Sequence, residues 1–409
     1  MKRGTNLPAL GGYNQALVLE LIRRAPAGIS RIELAAQTGL SAQTLSNVAR
    51  RLLQDGLVRE AGKSGSGPGK PRTILQLEPD ARFAIGLHID PTVTTCVVLD
   101  LEGRTVAHAR TRTPRGIRPE ETIARLSASV AAIIETSGVD RERVLGVGIA
   151  FPGPLDAQQG RIFDPPLLEE WHDVPLGDSL SASTGLTVHV EKDVTAAMVA
   201  ETWISTHDVG ANGLLFYYGT GVGAGLVVEG AVVRGASSNA GDIGHLIVDP
   251  DGPLCRCGRR GCLGDSIAPS ALVAEAVERG ILPPPRDGLD PSSVDAGFSR
   301  LLEQANAGHE DAAAIVRVAA QRIARGVLNI AGLLDLDHVI FGGPFWERAA
   351  GAVLPVVATA LAEDPASMLT HRVQLRSSRL GEDIAAIGAA CVVLDRAMTP
   401  ATASLLIET

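Results

Sequence analysis

The sequence contains no apolar run long enough to span a bilayer as a helix, which takes about 20 consecutive residues. Its opening, Met1-Lys2-Arg3-Gly4-Thr5-Asn6-Leu7-Pro8, leads into no secretory hydrophobic region, so a cytoplasmic protein with no membrane partner is expected. Cysteine is sparse, with five in 409 residues, which excludes a miniprotein built on disulfides. No short-period repeat is visible, which excludes a solenoid and leaves room for two similar α/β halves. What is present is bulk: 45% hydrophobic and 20% charged residues over a length that suits two or three domains, a composition that argues against wholesale disorder.

Charge is unevenly spread. Residues 1–80 hold 11 Lys/Arg against 6 Asp/Glu, a net of +5, while the remainder holds 26 against 40, a net of -14. A basic head on an acidic body fits a polyanion partner at one end, with chance surface variation as the alternative.

In the head, Leu17, Leu21 and Ala25, with Val18 and Ile22, make one helical stripe between Asn14 and Arg24. Ser30-Arg31-Ile32-Glu33 matches a capping box, Gly39 suits a left-handed helix end, and Ser41 can cap a second helix with Leu45, Val48 and Leu52 buried. Two helices joined by a tight turn read as a helix-turn-helix. The outer face of the second presents Gln43, Thr44, Asn47, Arg50 and Arg51; Gln and Asn suit adenine edges, and Ser41, Arg50 and Arg51 suit phosphates. After Asp55-Gly56, Leu57-Val58-Arg59 and Ile74–Leu77 read as wing strands around the Gly-rich loop 62–72, where Lys70 and Arg72 can enter a minor groove. The competing account is a small helical bundle followed by a flexible linker.

From Phe83 onward, strands and helices alternate, which is an α/β pattern. Strands are expected at Phe83–Ile89, Thr94–Asp100, Val144–Ala150, Leu186–Glu191, Gly213–Tyr218, Ala224–Val228 and His338–Phe341. Helices are expected near 122–136, 193–206, 268–279, 310–334 and 347–362, and Pro283–Gly288 as a surface loop. Cys255, Cys257 and Cys262, with His245 ten residues upstream of Cys255, carry ligand types suited to a closed tetrahedral zinc site; buried or redox-active thiols are the alternative. Cys96 and Cys391 lie in apolar segments and read as core.

An ordered set of motifs then resembles the ROK family (repressors, open reading frames and sugar kinases), in its transcription-regulator branch. The set comprises Phe151-Pro152-Gly153-Pro154, Glu191-Lys192-Asp193, Gly219–Gly225, Gly241-Asp242-Ile243-Gly244-His245, Cys255–Leu263, Phe341-Gly342-Gly343 and Gly381–Ala390. The resemblance implies a winged helix-turn-helix over residues 1–80 and a two-lobed, actin-like sugar-kinase body. Its lobes would be 81–195 with a return near 378–400, and 196–377 carrying the zinc motif. It implies structural zinc on His245, Cys255, Cys257 and Cys262, and an effector pocket of Lys192, Asp193, Asp242, His245 and Asp265, in which Asp193 holds the position of the kinases' base and His245 turns its second ring nitrogen to a sugar hydroxyl. For Asp193 the bland alternative is a helix cap.

Against the family's pattern, several positions differ. His88-Ile89-Asp90-Pro91-Thr92 stands where the kinases carry an Asp-x-Gly-Gly-Thr phosphate turn. Asp90 brings negative charge toward phosphate oxygens and Pro91 removes a donor. Like charges about 4 Å apart cost about 4 kcal/mol at an effective dielectric near 20, roughly a thousandfold in binding. The loop Gly219–Gly225 remains, either as a phosphate loop or as a hairpin turn. Asp242 replaces a Glu, Gly264 another Glu with Asp265 beside it, and Lys192 an Asn. Lys192 then either favours an anionic sugar or pairs with Asp193 or Glu191. Trp171 is placed either to stack on a sugar or in the core.

The expectation is a sugar-responsive repressor without productive phosphoryl transfer. It would bind double-stranded operator DNA as a homodimer or homotetramer and take a sugar or sugar phosphate as effector. The rivals are a sugar kinase that also binds DNA and a ligand-independent DNA-binding protein.

Overall fold

The computed structural model describes residues 7–64, 72–113, 118–165, 170–205, 210–285, 290–364 and 369–399. The head comprises α1 (Leu7–Arg23), β1 (Ile29–Ser30), α2 (Arg31–Thr38), α3 (Ala42–Gln54), β2 (Val58–Ser64) and β3 (Arg72–Leu77). Helix α1 starts about two turns before the expected stripe, since Pro8 in a first turn removes only an N–H that has no helical partner. Its buried face is Val18, Leu19 and Ile22, so Leu19 replaces Leu17 in the core. Ser30 forms the capping box: its hydroxyl accepts from the Glu33 N–H at 3.3 Å and its own N–H donates to the Glu33 carboxylate at 2.8 Å. Gly39 ends α2 at φ 69°, where a side chain would be strained. Strands β2 and β3 form the wing, and β3 also pairs with β1. Most of the expected groove-reaching loop, including Lys70, lies outside the described residues.

The body's first sheet follows. Its elements are β4 (Phe83–Ile89), β5 (Val93–Asp100), β6 (Thr105–Arg112), α4 (Pro119–Ser137), β7 (Val144–Phe151), the short hairpin β8 (Leu155–Asp156) and β9 (Arg161–Ile162), α5 (Leu176–Thr184), β10 (Val188–Lys192) and α6 (Asp193–Ile204). A second set consists of β11 (Gly213–Tyr218), β12 (Val222–Val228), β13 (Ala231–Val232), α7 (Leu263–Ile267), α8 (Pro269–Glu278), α9 (Pro291–Asn306), α10 (Glu310–Leu334), β14 (His338–Gly342), α11 (Trp346–Glu363), β15 (Gln374–Ser377) and α12 (Ile384–Met398). The two five-stranded sheets have the same plan. In each, three strands run as an antiparallel meander and two more join in parallel, giving β6-β5-β4-β7-β10 and β13-β12-β11-β14-β15.

Helices α6 and α12 join the halves. Helix α12 lies on β4 and β7, and α6 on β12. Small residues allow this proximity: a methyl group at Gly388 would overlap the Ala196 carbonyl oxygen, and one at Gly86 the Ala386 carbonyl oxygen. The apolar cluster around these helices includes Trp203, Leu394 and Met398 and continues without a break into Val18, Leu19 and Ile22 of the head. No flexible linker stands between head and body: β3 ends at Leu77, a single 3-10 turn covers Pro79–Ala81, and β4 begins at Phe83. Glu78 N–H donates to the Leu57 carbonyl at 2.9 Å, and Leu101 N–H to that of Pro79 at 3.0 Å.

Several elements carried no expectation. Strand β6 is exposed along almost its whole length, so it lacks apolar alternation. Helix α12 is buried all round and shows no amphipathic stripe. Pro283–Pro285 are irregular, as expected of a surface loop, while Arg286, Asp287 and Gly288 lie outside the described residues. Among the described residues no helix is long and apolar enough to cross a membrane.

Candidate functional sites: reading helix, interlobe cleft and cysteine knuckle

Helix α3 buries Leu45, Val48, Ala49 and Leu52 and turns its other face outward. Ser41, Gln43, Asn47, Arg50 and Arg51 are exposed and Thr44 is half-buried. Ser41 caps the helix by accepting from Thr44 N–H at 3.2 Å, so its hydroxyl serves the fold first. Arg50 donates to the Asn47 side-chain oxygen at 2.9 Å, which fixes both on one stripe. Ser46 is exposed between Gln43 and Asn47 on the same face, a position the sequence reading passed over. Arg72 opens β3 and is exposed within the wing.

In the cleft, equivalent hairpin turns of the two sheets meet. Asp90, in the β4–β5 turn, accepts from Thr92 N–H at 2.9 Å and from its hydroxyl at 2.6 Å through one carboxylate oxygen. Its other oxygen accepts from the hydroxyl of Thr220, in the β11–β12 turn, at 3.1 Å. The Asp90 carbonyl takes the Thr113 hydroxyl at 2.7 Å. Asp90 is therefore tied into both turns at once. The Gly219–Gly221 segment is a tight hairpin turn closed by Gly219 N–H on the Gly221 carbonyl at 2.9 Å.

Asp193 is the first helical residue of α6 and Lys192 holds the cap position, so Asp193 is not the helix cap; its carboxylate accepts from the neighbouring Val194 N–H at 2.7 Å. Burial pushes its carboxyl above the usual range, against the pull of His88 and Lys192 and with Asp90 adding repulsion. Lys192 forms neither salt bridge considered for it. Its ammonium donates to the carbonyls of Asn239 and Ala240 at 3.1 and 3.2 Å, while Glu191 pairs with Arg234 at 2.7 Å. Asn239 reaches across to Leu155, accepting from its N–H at 3.0 Å and donating to its carbonyl at 2.7 Å. These bonds fasten the loop after β13 onto the first sheet's side of the cleft. Asn239 had no motif to announce it. The Tyr217 hydroxyl is buried in the same region with no partner among the described residues. Burial, then Asp193 and Asp90, push it well above its ordinary range.

Asp242 is exposed and accepts from Gly244 N–H at 3.2 Å. Asp265 turns toward the cysteine loop, accepting from Arg256 N–H at 3.0 Å and facing its guanidinium at 3.5 Å. Trp171 is a core residue, 1% exposed and stacked on Phe151 with ring centres 5.3 Å apart, so no face is offered to a sugar.

His245, Cys255, Cys257 and Cys262 converge, with their ligand atoms all within 4.8 Å of one another, so they could hold a metal ion. His245 Nδ1 is 3.5 Å from Cys255 Sγ, and Cys257 Sγ is 3.6 Å from Cys262 Sγ. Tetrahedral zinc, with Zn–S about 2.3 Å and Zn–N about 2.0 Å, asks for edges of roughly 3.5 to 3.8 Å, which these two distances match. The Arg259 backbone N–H and guanidinium draw the Cys257 thiol down to about 6, toward the thiolate a metal needs. Chain pairing holds the knuckle to the cleft: Gly264 N–H donates to the Gly244 carbonyl and Leu263 N–H to that of Leu246, both at 2.8 Å. Cys96 and Cys391 are buried core residues whose thiols burial pushes up, Cys96 to about 12.

Comparison with known proteins matches this division. The sequence model of the MarR family covers residues 12–65 and that of the ROK family residues 84–396. The chain is 24% identical to the xylose repressor of Bacillus subtilis, over 93% of this chain and 95% of that protein. It is 28% identical to the glucokinase of Thermotoga maritima, over 68% of this chain and 86% of the kinase. A ROK family transcriptional regulator, homologous to the Escherichia coli MLC protein, superposes with a TM-score of 0.78 at 22% identity, covering 95% of this chain and 98% of that one. A winged helix at the N-terminus is thus followed by an actin-like body with matching motifs, and the chain belongs to the ROK family.

Proposed function

We propose that this chain is a sugar-responsive transcription regulator, acting as a repressor from the cytoplasm. Residues 1–80 bind double-stranded operator DNA as a homodimer or homotetramer. The lobes 81–195 with 378–400, and 196–377, hold the effector between them. Ser41, Gln43, Thr44, Asn47, Arg50, Arg51, Lys70 and Arg72 meet the DNA, the side chains of α3 entering the major groove. Asp193, Asp242 and the free ring nitrogen of His245 meet sugar hydroxyls. Lys192 positions the Asn239–Ala240 loop, and Asp265 the cysteine loop, so that both shape the pocket. The four-ligand knuckle takes structural zinc, whose binding contributes to the stability of the fold around His245.

The observation that carries the regulatory reading over the enzymatic one is the bond between Asp90 and Thr220. A carboxylate held between the two hairpin turns supports the reading, since like charge there would oppose nucleotide phosphates. The relatives that align with head and body together include named repressors, such as that of Bacillus subtilis, which supports the same conclusion. The rival, a kinase that also binds DNA, draws on Asp193 and on the glucokinase relative. Incubation with Mg·ATP and a panel of aldoses separates them: no sugar phosphate forms above background if the reading holds, and sustained turnover sinks it.

A further inference from the structure

The buried junction between head and body is built around Arg23, the last residue of α1. Its guanidinium lies over the Trp203 ring, 3.9 Å from the centroid, and donates to the Trp203 carbonyl at 2.6 Å. The remaining nitrogens form a fork on Glu20 at 2.7 and 2.8 Å. Arg23 and Glu20 side chains are only 7% and 10% exposed. Trp203 belongs to the final turn of α6, so a cation caps the helix end where carbonyls lack partners and the dipole is negative. The opposite end of α6 starts at Asp193 in the cleft, about 15 Å away for ten residues of helix.

Between these ends α6 has no freedom to bend. Nine of its twelve residues are buried. Gly225 meets the Val194 carbonyl and the Met198 side chain on one side, and Gly388 of α12 meets Ala196 on another. Glu201 is fully buried and held by Arg376 at 2.6 Å. Close packing along its length favours rigid-body displacement of such a helix over bending.

We infer that α6 is the rod that carries occupancy of the cleft to the DNA-binding head, and that Arg23 is the positioning residue that couples rod to head. The inference rests on the sugar-controlled DNA-binding reading above. A guanidinium fork supplies a stacked face, a carboxylate pair and a carbonyl bond together, which an ammonium cannot do. Arg23 lies outside the reading helix and outside the cleft, so its loss should spare both individual binding steps.

The test compares wild type, Arg23→Ala and Arg23→Lys as full chains, on a duplex that the wild type selects from a random pool. D-xylose, D-glucose and N-acetyl-D-glucosamine serve as sugar probes. Without sugar, hydrogen exchange of the α1 amides should rise about tenfold in Arg23→Ala, while duplex affinity stays within about threefold of wild type. With sugar, the shift in duplex affinity seen in wild type should collapse in Arg23→Ala and be reduced in Arg23→Lys. Wild-type exchange in α1, or a full sugar-dependent shift in Arg23→Ala, overturns the inference. A wild type that binds duplex and answers none of the sugars contradicts the sugar-controlled reading, while the exchange result still decides whether Arg23 holds the head.

Discussion

The two halves of the body repeat one strand order, and each begins with an antiparallel hairpin whose turn faces the cleft. The turns have diverged. In the second half Gly219, Thr220 and Gly221 leave a compact turn with a hydroxyl pointing outward; in the first, Asp90, Pro91 and Thr92 supply a carboxylate that accepts that hydroxyl. One frame thus provides a hydroxyl donor and the other a resident anion that accepts it. The difference teaches that equivalent turns on one repeated frame can differ enough to bond to each other across a cleft.

The joint that makes the halves one body should be the most sensitive point. Gly388→Val drives a branched side chain into the Ala196 backbone, where no flexible neighbour can yield. A loss of several kcal/mol is expected, read as a lowered denaturation midpoint. Near-wild-type stability would mean that the halves are not packed as described.

The knuckle belongs to the second half alone. Cys257→Ser removes one of the four residues that could hold a metal, and metal content measured on the purified chain should fall from about one equivalent to well below half, with a lower melting temperature. Full metal occupancy in the variant would show that the four-residue ligand set is wrong.

Making the first turn resemble the second sharpens the comparison. In Asp90→Gly with Pro91→Gly, the Thr220 hydroxyl loses its acceptor and two donors gain freedom. Affinity for a non-hydrolysable Mg·ATP analogue, followed by calorimetry, should rise by about tenfold or more over wild type, the direction expected when a like charge leaves. No rise would mean that the carboxylate is not what opposes phosphate.

The smallest effect lies in neither half. Arg50→Ala should weaken duplex binding and reduce the slope of log affinity against log salt by about one. An unchanged slope would remove Arg50 from the phosphate contacts.

Local signals were legible in the sequence wherever neighbours in the chain are neighbours in space. The Ser30–Glu33 capping box, the Gly39 stop, the α3 core stripe and the helix at 310–334 depend on short spacings, and they stand in the structure. The His/Cys set was legible because metal-ligand chemistry restricts residue types. What was not legible depends on contacts far apart in sequence or on absent contrast. Asp90 meets Thr220 across 130 residues and Arg23 meets Trp203 across 180, with no local pattern to announce either. The sequence sets Lys192 between two carboxylates, Glu191 and Asp193, whereas the fold supplies it with two backbone carbonyls instead. Strand β6 escaped notice because both its faces are largely exposed, and α12 because it is apolar on every side.

The most direct test of the central claim is duplex affinity measured against increasing sugar with no nucleotide present. A coupling free energy of about 1–3 kcal/mol, a change of roughly fivefold to 150-fold, is the predicted result for at least one sugar. An affinity that no sugar alters, together with a sugar phosphate that accumulates once ATP is added, would contradict it.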